Sequence, residues 1–124
     1  MSLILIVEDN EKNLKLVRDV LQVKGYKTLE AGTAEDGIKL AAEHKPDLIL
    51  MDIHLPGMNG IDALRVLRSD TATAPIPVIA VTASVMQQDR KLITDAGFDG
   101  YVGKPINLKE FLDAVRDMLA KHNQ

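Results

Sequence analysis

Four places in the chain carry side chains able to manage a strongly charged group: Glu8-Asp9, Asp52, Thr82 and Lys104. Each stands at or just past the end of a short strand-like segment, respectively the apolar runs Leu3 to Val7, Leu48 to Met51 and Val78 to Val81, and Asp99 to Val102. Carboxylates gathered at one point repel one another unless a cation neutralises them. An all-oxygen set of two or three carboxylates, completed by water and a backbone carbonyl, suits Mg²⁺, with Mn²⁺ an alternative. A divalent cation beside a carboxylate and an ammonium points to a phosphoryl group. The metal and Lys104 would hold phosphoryl oxygens and the Thr82 hydroxyl would donate to one of them. Asp52 would then be the in-line nucleophile, forming an aspartyl phosphate.

Each residue alone has an ordinary reading. A strand-end Asp is commonly a turn or cap residue, an acid before Asn10 favours the positive end of a helix, Thr82 would cap or turn, and Lys104 before Pro105 would be a solvated surface lysine. Two acids in a row exceed what capping needs, and the weight lies in the conjunction.

The elements that must bring these residues together follow from the apolar pattern. Leu3 to Val7 and Leu48 to Met51 are unbroken apolar runs, as in strands buried on both faces. After Asp52, Pro56, Gly57 and Gly60 halt any further strand. Tyr26 to Ala31 is a weaker strand whose Lys27 and Glu30 indicate a sheet edge. Between strands lie helical stripes. Leu14, Val17 and Leu21 follow an Asn10 cap, with Leu16 and Val20 beside them, and Gly25 suits the turn after that helix. Ile38, Ala41 and Ala42 follow a Thr33 cap, where Gly37 should weaken the helix by ~1 kcal/mol, and Pro46 ends it. Ile61, Leu64 and Leu67 mark a third helix that ends near Ser69 to Thr71. Leu92, Ile93 and Ala96 turn inward from a fourth over roughly 87–96, the least regular, which stops at Gly97. Leu108, Phe111, Leu112, Val115 and Leu119 follow Asn107 in the last.

Strands alternating with amphipathic helices imply parallel pairing through crossover connections. Five βα units are too few to close a barrel, so the expected fold is an open, doubly wound (βα)5 sandwich. Ligands in such sheets bind beyond the carboxyl ends of the strands. With strand order 2-1-3-4-5, the strand without a chemical residue at its end falls at an edge, and the other four face one cleft.

Composition narrows the class. The 124 residues are 46% hydrophobic, 27% charged and 3% aromatic, as for one globular domain over 1–124 with an aliphatic core. The absence of cysteine excludes disulfides, thiolate metal sites and cysteine nucleophiles. A net charge of -3 without a Lys/Arg cluster disfavours nucleic acid. No apolar stretch approaches membrane-spanning length, and nothing resembles a signal segment. A cytoplasmic protein is expected.

Glu8-Asp9, Asp52 within Leu-Met-Asp-Ile-His-Leu-Pro-Gly-Met-Asn-Gly, Thr82-Ala83 and Lys104-Pro105, in this order, resemble the response-regulator receiver domain of two-component signalling over the whole chain, and within that family stand-alone regulators of the DivK type. The resemblance implies a flavodoxin-like fold and phosphorylation of Asp52 by a histidine kinase or histidine phosphotransfer protein. It also implies Mg²⁺ held by Asp9, Asp52 and the His54 backbone carbonyl, with Glu8 acting through water. Thr82 and Lys104 would contact the phosphoryl group. Tyr101 matches the aromatic switch position, so that Thr82 and Tyr101 would reshape the surface of the fourth helix, fifth strand and fifth helix for a downstream protein target. Pro105 commonly follows a cis peptide in this family. Glu8 stands where Asp is commoner. His54 and Ser84, each two residues beyond a key position, would tune the lifetime of the aspartyl phosphate. The chain leaves no room for an output domain after Lys104, and Met86 to Arg90 suits a partner surface. His44 and His122 read as solvated.

Two enzyme-like or binding readings compete. A haloacid-dehalogenase-like phosphatase shares the strand-end Asp, Mg²⁺, hydroxyl and lysine, but has a second Asp where this chain has His54. A flavodoxin-like flavin binder needs a Ser/Thr/Gly-rich phosphate loop after the first strand, where Glu8-Asp9 would repel the anion. A regulatory phosphoacceptor rather than an enzyme is expected.

Overall fold

The computed structural model describes residues 2–82 and 87–122, without the side chains of residues 87–90 and 122. Five strands, β1 (Leu3–Val7), β2 (Lys27–Ala31), β3 (Leu48–Asp52), β4 (Val78–Thr82) and β5 (Gly100–Gly103), alternate with helices α1 (Glu11–Val23), α2 (Ala34–His44), α3 (Gly60–Ser69), α4 (Gln87–Ala96) and α5 (Leu108–His122). The strands form one parallel sheet in the order β2-β1-β3-β4-β5, as expected.

Alternation along the central strands supplies two cores. Leu5, Val7, Ile49, Met51, Val78 and Ala80 face one layer, where Ala34 and Ala41 of α2, Ala63, Leu64 and Leu67 of α3, and Ile93 of α4 pack on them. Ile4, Ile6, Leu48, Leu50, Ile79 and Val81 face the other, against Val17 and Leu21 of α1 and Phe111, Val115 and Leu119 of α5. Fully burying each large side chain contributes roughly 1.5–3 kcal/mol, so the sheet carries a hydrophobic load on both faces. That load holds the carboxyl ends of β1, β3, β4 and β5 side by side.

Caps set several helix starts. The Asn10 side chain accepts from Lys12 N and Asn13 N, Thr33 from Asp36 N, and Asn59 from Asp62 N. Helix α2 ends with Lys45 in a left-handed conformation (φ 46°) just before Pro46. Gly25 has φ 89°, the left-handed residue expected after α1.

Several expectations shift. The third and fourth strands run one residue further than the apolar runs, because Asp52 pairs with Val81 and Thr82 with Gly103 in continuing ladders. The second strand starts at Lys27 and the fifth spans Gly100–Gly103. Ala42 is exposed, since the inner face of α2 is Ala34, Gly37 and Ala41, and the next residue turns about 100° away. For the same reason Leu92 beside buried Ile93 is 54% exposed. Leu16 and Leu108 also face largely outward. Gly37 is a packing requirement rather than a mere weakness: a Cβ there would lie 2.7 Å from Val7 Cγ2. Ser84 and Met86 lie outside the described residues, as do the side chains of 87–90 and His122.

Candidate functional site

Strand β1 delivers Glu8 and Asp9, β3 ends in Asp52, β4 ends in Thr82, and Lys104 directly follows β5. The sheet order makes these four ends neighbours, and the side chains meet. The Lys104 Nζ donates to Asp52 Oδ2 at 3.1 Å and to Glu8 Oε1 at 3.2 Å, with Glu8 Oε2 at 3.1 Å. Glu8, Asp9 and Asp52 each present a carboxylate oxygen, and these atoms all lie within 4.8 Å of one another. Glu8 and Asp52 are buried, at 5% and 4% exposure, while Asp9 faces solvent. The acid cluster therefore opens to water on the Asp9 side.

Backbone donors aim the two buried carboxylates. The Asn10 N–H donates to Glu8 Oε1 at 3.2 Å, and the His54 N–H to Asp52 Oδ1 at 3.1 Å. Asp52 thus has one oxygen on a backbone amide and the other on Lys104. Lys104 is tied in turn to β4, since its N–H donates to the Thr82 carbonyl at 2.8 Å. Thr82 is 2% exposed and lines a cavity of about 190 Å³ with Ile53, His54, Asn59, Ile61, Leu92 and Ile93. The His54 side chain is exposed at the mouth of the site.

With all groups ionised, three carboxylates face one ammonium, and two are out of water. Burial pushes the Glu8 carboxyl above its ordinary value; the Lys104 hydrogen bond opposes this, and the negative charge of Asp52 adds to it. Burial works against the Lys104 charge, but hydrogen bonds to Glu8 and Asp52, with the attraction of both carboxylates, outweigh it and hold its pKa above the ordinary lysine value. Oxygen donors, excess negative charge and one solvent-facing side are what a hard divalent cation requires. The donor set fits Mg²⁺.

Tyr101 is 40% exposed on β5, paired with Ala80, and borders an open cavity of about 420 Å³ with Lys104, Pro105, Asn107, Glu110 and Ala114. The Lys104–Pro105 peptide is cis. His44 is exposed at the end of α2, 3.9 Å from Glu43 and remote from the site in the fold.

The amides of Asn10 and His54, and the close approach of Gly60, carry no signal in residue type. Asn10 was legible as a helix cap, and its own N–H was silent. Gly60 was legible as a strand breaker, yet a Cβ there would lie 2.5 Å from the Asp52 carbonyl oxygen.

The family model described as response regulator receiver domain matches residues 4–116. The polar-differentiation response regulator DivK of Brucella anthropi is 42% identical over 116 residues, covering 94% of each chain, and that of Brucella ovis matches equally. Among solved structures, the receiver domain of a sensor histidine kinase from Pseudomonas aeruginosa, with a magnesium ion coordinated in its active-site cleft, is 30% identical. Its TM-score is 0.89, covering 96% of this chain and 98% of that one. A CheY-like receiver domain protein from Methanospirillum hungatei is 28% identical at TM-score 0.90, covering 99% and 97%. Among the described residues, no helix is long and apolar enough to cross a membrane.

Proposed function

The chain belongs to the response regulator receiver domain family, and from that premise we propose that Asp52 accepts a phosphoryl group from a phosphohistidine of a sensor kinase or phosphotransfer protein. The observation that carries this reading is the convergence of Glu8, Asp9, Asp52 and Lys104 at adjoining strand ends.

In the reaction, an Asp52 carboxylate oxygen attacks phosphorus in line with the donor nitrogen. The O–P bond forms as the N–P bond breaks, and its electron pair returns to the ring; the imidazole leaves neutral because the other ring nitrogen of the donor phosphohistidine already carries a proton. The His54 N–H holds Asp52 Oδ1 and Lys104 holds Oδ2, so the carboxylate has a fixed orientation before the donor arrives. Lys104 is within reach of the incoming phosphoryl oxygens, and the Thr82 hydroxyl is the natural second donor. A Mg²⁺ ion held by Asp9, Asp52 and the His54 carbonyl, with Glu8 acting through water, would supply the positive charge that both the carboxylates and the phosphoryl group demand; Mn²⁺ would use the same donors.

The product carries a message rather than leaving as a metabolite. Phosphorylation draws Thr82 toward the phosphoryl group and lets Tyr101 move inward, changing the α4–β5–α5 surface that a downstream protein reads. The chain acts on itself and is not a turnover enzyme. It works in the cytoplasm, binds neither nucleic acid nor membrane, and residues 1–124 form one receiver unit.

Incubation with acetyl phosphate and Mg²⁺, followed by intact mass measurement and site mapping, tests the chemistry. A single phosphoryl adduct confined to Asp52 is expected. An adduct elsewhere, or sustained hydrolysis of small phosphate esters, would overturn the reading. For the output, Asp52→Asn treated with phosphodonor should gain no partner binding in a pull-down where the unaltered chain does.

A further inference from the structure

We propose that Gly60 is a positioning residue for Asp52, fixing the nucleophile through its backbone; this rests on reading Asp52 as the phosphoacceptor. Gly60 is the buried first residue of α3. Its φ lies outside the left-handed region that favours glycine, so the need for glycine is spatial. A Cβ at this position would lie 2.5 Å from the Asp52 carbonyl oxygen, 3.0 Å from Ile53 Cα and 3.2 Å from Asp52 C. All three are backbone atoms, so no side-chain rotation can relieve the contact.

The same residue is tied to the strand it presses on, because the Gly60 N–H donates to the Ile53 carbonyl at 3.0 Å. On the other side, Asp52 pairs with Val81 of β4, and the Ile53 N–H donates to the Val81 carbonyl at 3.2 Å. The Asp52 peptide is therefore held between a ladder and a helix start. The Asn59 side chain, accepting from Asp62 N at 2.9 Å, fixes that helix start. The consequence reaches the reacting atoms. The distances from Asp52 to the His54 amide and to Lys104 depend on where this peptide sits.

Carbon-to-oxygen contacts settle near ~3.3–3.6 Å, so an alanine at position 60 would have to push the Asp52 carbonyl, or α3, by about 0.8 Å or more. Misplacement of a reacting group by about 1 Å is enough to lose about 100-fold in rate.

The test compares the unaltered chain, Gly60→Ala and Leu119→Ala. Leu119 lies in the α5 core, on the opposite layer from α3, and its truncation lowers stability without touching the site. Phosphorylation by acetyl phosphate at saturating Mg²⁺ is followed by intact mass, well below each melting temperature, and Mg²⁺ binding by calorimetry. Gly60→Ala should be phosphorylated about 10- to 100-fold more slowly and bind Mg²⁺ more weakly, while Leu119→Ala keeps both properties despite its lower melting temperature. Unchanged rate and Mg²⁺ affinity in Gly60→Ala would overturn the positioning role alone. An unaltered chain that is not phosphorylated on Asp52 would instead remove the reading beneath it. If Gly60→Ala does not fold, Asn59→Ala carries the test: a several-fold slower reaction, restored by Asn59→Ser, is expected, and an unaltered rate overturns the proposal.

Discussion

Replacing Asp52 by asparagine should make the metal-free protein more stable while removing its phosphoacceptor. Asp52 and Glu8 offer oxygens within 4.8 Å of one another. At an effective dielectric of ~20, that separation corresponds to a repulsion of about 3.5 kcal/mol. Asp9 adds a smaller term because it faces solvent. Against this stands the attraction of Lys104 to Asp52 at 3.1 Å, about 5 kcal/mol on the same scale. The pairwise terms nearly cancel, which leaves the desolvation of a carboxylate that is only 4% exposed, a penalty of several kcal/mol before its hydrogen bonds are counted.

Asparagine keeps the shape, and its carbonyl oxygen can still accept from either the His54 amide or Lys104. A net gain of about 1–2 kcal/mol follows from relieving the charge excess, or about 4–8 °C in melting temperature for a domain of this size. Thermal unfolding followed by circular dichroism in EDTA at low salt measures it. Adding Mg²⁺ should then raise the melting temperature of the unaltered chain well above that of Asp52→Asn, since a ligand at free concentration L that binds only the folded state stabilises it by RT ln(1 + L/Kd), which is larger for the tighter site. If Asp52→Asn were less stable than the unaltered chain in EDTA, the carboxylates would not be in repulsive excess, and the argument for a divalent cation at this cluster would fall.

Lys104→Met should have the opposite effect in EDTA, losing about 2–3 kcal/mol because two buried carboxylates are left without their cation; a melting temperature within 2 °C of the unaltered chain would refute it, since about 4 °C per kcal/mol is expected. The raised Glu8 pKa gives the folded state the higher proton affinity, so stability from this group is fully present below pH 4.5 and is lost as pH rises through the raised value. The stability advantage of Glu8→Gln in EDTA should therefore grow from pH 4.5 toward neutrality, and an advantage that shrinks over that range would reverse the sign. Lys104, also raised, stabilises fully below its ordinary value of 10.5 and loses that contribution as pH climbs through its folded pKa, so Lys104→Met should approach the unaltered chain only in strongly alkaline solution. Arg68→Ala should lower the melting temperature by about 8–12 °C, from loss of about 2–3 kcal/mol of charge-assisted hydrogen bonds, while phosphorylation measured in the cold stays normal.

Arg68 lies at the boundary between what residue types reveal and what they do not. The Arg68 guanidinium donates to the carbonyls of Ala74, Ile76 and Gly97 and to Asp99, whose carboxylate also accepts from Val78 N. One side chain thereby ties the end of α3 to the entries of β4 and β5, at the opposite end of the sheet from Asp52. Nothing in the local pattern around Arg68 announces this, because its partners are six to thirty-one residues away. By contrast, Asp52, Lys104 and the Glu8-Asp9 pair were legible because each ends a strand and parallel topology makes strand ends converge. Their meeting needed only the strand order 2-1-3-4-5, expected because it sets the four polar strand ends side by side, and the sheet has that order.

Glycine shows why the remainder was not legible. Gly25 stands at a helix end in the sequence, whereas Gly37 and Gly60 look alike there, each a residue that weakens regular structure. Gly25 serves its left-handed φ of 89°, Gly37 makes room for Val7, and Gly60 makes room for the backbone of Asp52. The first role is local and can be read from a helix end. The other two exist only where α2 and α3 press on strands that lie far away in the chain. Strand ends collect the reactive groups, but the close approach of a helix decides how firmly each is held. A site of this kind is therefore found by topology and tuned by packing, and a search for further determinants of its reactivity belongs among the small residues behind Asp52 as much as among the charged ones before it.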